Sequence, residues 1–337
     1  MRLIAFAAAL AALTAGSAAA ATYQAAGITI EDAAAIVEII PENRADIDVA
    51  ITPGAALGAP RVSVEGGRVR IDGDLRLTGC SAGPQGERVR VQGRGWVRRQ
   101  DLPRIVIRAP QTIDVALGAG VFARVGASQG GRLAVTGCGD TDVGAVRGDL
   151  RLALTGSGDV NLAAVSGDLS ASLTGSGDLE ATSAGGDAEL RLTGSGDLTI
   201  GRIGGALNAR VTGSGDLQTG DVGRGAELVL TGSGDVAVRD VRGDLSAQIT
   251  GSGGVNAQSA NGASATLRST SSGEVIVRGG RVERLIARTT GSGGVRFDGA
   301  AEIAEVVISG SGDVTIAEAA RVERLVDNGS GTVRVGR

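Results

Sequence analysis

Thr155-Gly156-Ser157-Gly158-Asp159 decides how this chain folds, because the same five letters return at Thr174, Thr193, Thr212 and Thr231, each 19 residues after the last. A cysteine version, Thr136-Gly137-Cys138-Gly139-Asp140, stands one period earlier, and Thr250-Gly251-Ser252-Gly253-Gly254 one period later. Degenerate copies follow at Thr270, Thr290, Ser309 and Asn328, at spacings of 20, 20, 19 and 19. A fixed period near 20 residues without a helical pattern is the mark of a β-solenoid, a stack of equivalent rungs.

Within one unit, Val160 and Leu162 alternate with Asn161 and Ala163, as a half-buried strand requires. Gly167-Asp168 breaks the run, and Leu169, Ala171 and Leu173 then alternate with Ser170 and Ser172. Each rung therefore reads as two short strands joined by two glycine corners. Glycine supplies the positive φ or close backbone approach that a tight corner needs, and aspartate after it can bond its own turn. Asp140, Asp159, Asp178, Asp197, Asp216 and Asp235 occupy equivalent corners and form one acidic ladder, with a structural role. Stacked Thr and Ser are candidates for hydroxyl ladders.

The composition agrees with a thin core. The chain has 57 glycines, one Trp, one Tyr and three Phe, so Val, Leu, Ile and Ala must fill the interior. Met1-Arg2 followed by an apolar run and small residues up to Ala21 reads as a secretory signal peptide over 1–21, cleaved after Ala20 or Ala21. No later stretch is apolar enough to span a bilayer as a helix. These features predict an exported protein, periplasmic or at the surface of a Gram-negative cell.

Residues 22–130 read as a leading β segment and 131–337 as the repeat solenoid, continuous with it. Between 61 and 108 the chain carries eleven Arg against five acids, with only Trp96 interleaved. Such a face attracts polyanions but is poor in the aromatics that stack on nucleic-acid bases, so no nucleic-acid partner is expected. From 135 to 260 the balance reverses, with sixteen acids and eight Arg. The charged strands near the end, and Arg334 and Arg337, fit a capped solenoid terminus.

The chain contains no His, which removes the commonest general base and metal ligand. Gly79-Cys80-Ser81-Ala82-Gly83 spells a nucleophile elbow, but without a His it has no partner. Two Cys and no His do not make a zinc site. Calcium is the rival reading, since glycine-rich nonapeptide rolls also have two corners per coil; here Asp follows the second glycine directly, out of the ligand position. A polysaccharide-active enzyme could use paired carboxylates. It would need one rung made different and loops to wall a cleft, and units 136–269 have no insertions. No catalytic, cofactor or metal residues are assigned. Cys80 and Cys138, the only cysteines of an exported chain, are expected to form a disulfide, which requires the leading segment to fold back.

The Gly-Ser-Gly-Asp corners, the run Ile105-Val106-Ile107-Arg108-Ala109-Pro110 ahead of them, and the opening of leader plus alternating strands resemble the auto-transporter adhesin, head GIN domain family. The resemblance spans about 27–337 and implies a parallel β-helix without retained catalytic residues and with a role in cell adhesion. The reading is an all-β, parallel β-solenoid acting as a non-enzymatic adhesion or scaffold module of the cell envelope. Its partner is an unidentified cell-surface, polysaccharide or protein one. The alternatives are a calcium-binding roll and a polysaccharide-active enzyme.

Overall fold

The computed structural model describes residues 19–81 and 86–337. The signal peptide expected at 1–21 therefore lies, apart from its last three residues, outside the described part. Among the described residues, no helix is long and apolar enough to cross a membrane.

The fold is all-β, with a single 3₁₀ turn among the described residues, at Arg99–Asp101. One 27-stranded sheet winds through the molecule as a parallel solenoid of about 12 turns with roughly 19 residues per turn, preceded by an irregular sheet. The period sets the register directly. Leu169 lies beside Leu150 and Ala188, and Thr174 beside Thr155 and Thr193, so residues equivalent in the repeat stack one rung apart. Inward positions such as Leu150, Leu169, Leu198 and Leu217 are 0–2 % exposed and form one continuous core.

The second strand of a rung is not straight. Leu162 pairs with Ala181 and Ala164 with Ser183, while the residues between them drop out of the ladder. In two rungs the strand shortens to Thr141–Val143 or Leu217–Thr219, followed by an isolated bridge at Val146 or Val222. The expected two-sided rung thus has an additional bend.

The leading segment is woven into the stack. Strands β1 (Ala19–Tyr23), β2 (Gly27–Glu31), β3 (Ala34–Glu42), β4 (Ile47–Thr52), β5 (Arg61–Glu65) and β6 (Arg68–Asp72) precede a small separate sheet, β7 (Leu77–Ser81), β8 (Arg88–Val91) and β9 (Gly95–Arg98). The chain then re-enters the solenoid through β10 (Arg104–Pro110) and β11 (Thr112–Val125). β3 pairs in parallel with β10 on one side and with β11 on the other, so an earlier stretch is inserted between two later ones. At this end the stack is closed by antiparallel pairs, β5 on β6 and β4 on β10. At the other end Val333–Val335 covers only the first three residues of the last long strand, Val314–Asp327. Val322 and Leu325 of that strand stay 41 % and 54 % exposed, flanked by Arg321, Glu323 and Arg324.

The β7–β9 sheet folds back over the outside of the stack as a tab. Its inner residues Val89, Val91 and Val97 pack on Phe122 and Ala34 in a second small core. This explains the unbroken buried run Gly120–Ala123 in β11, where both faces are covered. Cys80 on β7 is disulfide-bonded to Cys138 at the first regular corner, with Cα atoms 5.8 Å apart.

Candidate functional site

The corners come first, because their chemistry decides which groups are left for a ligand. At Gly175-Ser176-Gly177-Asp178, the N–H groups of Ser176 and Gly177 both donate to the Gly156 carbonyl of the previous rung, at 2.9 and 3.1 Å. Asp178 N–H finds no backbone carbonyl there and donates instead to Asp159 Oδ1, at 2.9 Å. The pattern repeats from Asp140 through Asp159, Asp178, Asp197, Asp216 and Asp235, ending on Gly254 N–H, at 2.7–3.1 Å. The aspartates therefore do not bond their own turn, as the sequence suggested. Each accepts from the equivalent residue one rung on, because that is where the unpaired donor points. Of the expected hydroxyl ladders, Ser292 Oγ donating to Ser272 Oγ at 3.4 Å is the instance among the described residues.

The second corner carries a parallel column that the sequence reading did not single out. Asp149 accepts from Asp168 N–H, Asp168 from Asp187 N–H and Asp187 from Ala206 N–H, at 2.9, 2.8 and 2.7 Å. At Ala206 and Gly225 the column has no carboxylate, and it resumes with Asp244, which accepts from Ser264 N–H at 2.8 Å. The signal was present in Gly204-Gly205-Ala206 and Arg224-Gly225-Ala226, which replace the Gly-Asp of their neighbours at the same 19-residue register.

Beside this second column runs a groove of about 1200 Å³ extending from Ile113 to Thr266. It crosses nine successive rungs, about 40 Å at ~4.8 Å per rung. The column residues form one side of it. Outward residues at the start of the long strands, including Ser170, Glu189, Asn208, Glu227 and Ser246, form the other. The lining carries seven acids and two Arg (132 and 151). Units without insertions were expected to offer no walls for a cleft; the stack itself makes a groove, from corner and strand residues contributed once per rung. In mid-groove the Asp187 carboxylate is held below the usual aspartate range, first by the Ala206 N–H and then by the Arg224 guanidinium that bonds it.

Asp140 behaves differently. The tab covers it, and burial pushes its carboxyl up, with the neighbouring Asp159 and Glu87 carboxylates adding to the shift and the Asp159 N–H opposing it. Glu87 is itself paired with Arg99, whose guanidinium lies over the Phe122 ring. The outer face of the tab presents Arg88, Arg90, Trp96 and Arg98; Arg88 stacks over Trp96 and Arg98 pairs with Asp101. No group of three or more metal-ligating side chains is present among the described residues.

Residues 104–258 match the family model described as "Putative auto-transporter adhesin, head GIN domain". No curated protein matches the chain. Two similar solved structures are a crystal structure titled as a putative lipid binding protein from Parabacteroides distasonis and one titled as a putative adhesin from Bacteroides fragilis. The first is 16 % identical with a TM-score of 0.31, covering 96 % of this chain and 98 % of that one. The second is 13 % identical with a TM-score of 0.23, covering 96 % and 98 %. The family match runs from β10 through the regular Gly-Ser-Gly-Asp rungs.

Proposed function

We propose that the chain is a non-enzymatic, adhesin-like binding module of the cell envelope, exported through its leader, that holds an extended partner along the groove beside the second corner column. The observation that carries this reading is the groove itself: nine rungs long, open at the surface, and lined by polar groups that recur at one rung spacing. A ligand with its own short repeat meets equivalent contacts along such a surface, so many weak contacts add up to useful retention. The two corner columns favour binding over acid–base chemistry, because their carboxylates already accept backbone N–H groups. The family's description as an adhesin head points the same way.

The reading is tested by blocking the groove without touching the columns. Ser170 and Asn208 point outward into it, so Ser170→Trp and Asn208→Trp together should cut retention of the purified protein on intact envelope material. The melting midpoint should be unchanged. Undiminished retention by a well-folded double variant would place adhesion elsewhere.

A further inference from the structure

Beyond Asp149, whose N–H meets the side-chain-less Gly130, the groove's regular chemistry is broken over two consecutive rungs. Ala206 and Gly225 stand where the neighbouring rungs have Asp168, Asp187 and Asp244. Each of those aspartates supplies Oδ1 to the N–H one rung on, so the two small residues leave two donors without an acceptor. Gly225 N–H has none because residue 206 has no carboxylate, and Asp244 N–H has none because residue 225 has no side chain. Both residues line the groove, and their N–H groups stand one rung apart, at ~4.8 Å. Arg224 reaches past Ala206 to Asp187, so a guanidinium lies beside the gap. Glu189, Asn208 and Glu227 face it from the adjoining strands.

We infer that this gap is the docking point of the groove and that its ligand is a neutral glycan chain whose hydroxyl oxygens take the place of the two missing aspartate oxygens. The inference rests on the binding role proposed above and names the ligand class. A sugar hydroxyl accepts and donates through one atom. Its oxygen accepts from the Gly225 N–H while its O–H donates to the Asp187 carboxylate one rung back, or accepts from the Asp244 N–H while its O–H donates to Glu227. An anionic ligand would accept the same N–H groups but would face the groove's seven acids at close range. A peptide carbonyl would accept the N–H and leave the carboxylates without a donor from the same atom. Unpaired backbone donors in a concave site favour whichever ligand satisfies them.

The column also supplies the test. Ala206→Asp or Ala206→Asn restores an Oδ1 at a position that already holds a Cβ, so the protein closes its own gap. Amide spectra of the full chain would be recorded during titration with a neutral linear glucose oligomer. The matching uronate oligomer and an uncharged extended peptide serve as comparison probes. The neutral oligomer should saturably shift the Gly225 and Asp244 amide signals. Both variants should abolish the Gly225 shift and weaken binding about tenfold without lowering the melting midpoint. Response to the uronate or the peptide but not to the neutral oligomer would overturn the ligand class. Shifts at Glu189 and Asn208 that spare Gly225 and Asp244, and that ignore the variants, would overturn the docking point while leaving the groove reading intact. No shift with any probe would overturn both.

Discussion

Gly213 and Asp197 show what single residues contribute to a stack. Gly213 has φ +123°, and a Cβ there would sit 2.3 Å from the Gly194 carbonyl oxygen one rung away. Gly213→Val should cost about 1–3 kcal/mol in a thermal or denaturant melt, from backbone strain and that close approach together. Asp197→Ala removes the acceptor of Asp216 N–H and should cost about 1 kcal/mol, while Asp197→Asn, which keeps an oxygen there, should recover most of it. Equal losses in the two variants would mean that charge, not the hydrogen bond, is what the column supplies. Asp140 gives a pH signature of the opposite sign to that of Asp187. Burial raises its folded-state pKa above the unfolded value, so its contribution is complete below the ordinary aspartate range and is lost as pH rises through the raised value. Asp140→Asn should therefore flatten that part of the stability–pH curve and leave the protein no less stable at neutral pH. A steeper curve in the variant would contradict the burial account.

At the scale of elements, the tab and its tether are the least regular part. The Cys80–Cys138 bond closes a loop of 58 residues, for which chain entropy alone gives about 4 kcal/mol. Reduction should loosen β7–β9 from Phe122 and change the fluorescence of Trp96, the single tryptophan, while the β-sheet circular dichroism persists. Loss of both signals together would show that the tab and the solenoid unfold as one unit. The pairing was legible from two cysteines in an exported chain, and so was the need for the leading segment to fold back. The weaving of β2–β3 between later strands was not. Alternation at Ile28 and Ile30, and at Val37 and Ile39, specifies strands and an inward face but not which neighbours they find, because parallel pairing is set by contacts far apart in sequence.

At the scale of the whole molecule, a 19-residue period was enough to give the solenoid, its register and its core. The groove was hidden for a physical reason. Its lining is contributed a few residues per rung by corner and strand positions, and no residue type among them announces a concavity. The second aspartate column and its interruption at Ala206 and Gly225 are readable in the sequence, since each position is fixed by the period, but their signal is weaker than that of the Thr-Gly-Ser-Gly-Asp corners. Corner aspartates bind the rungs by accepting backbone N–H groups, and a stack held in this way is expected to fold without an ion, its groove left to a ligand. Adjacent carboxylates one rung apart repel by roughly 0.8 kcal/mol before screening, and each N–H bond to a carboxylate opposes that repulsion. The most direct test is the unfolding midpoint of the purified chain in millimolar calcium, in chelator, and in sodium chloride of matched ionic strength. The account predicts that calcium and chelator move the midpoint no more than sodium chloride does. A large calcium-specific rise, abolished by chelator, would contradict it and make the aspartate columns ion-binding sites.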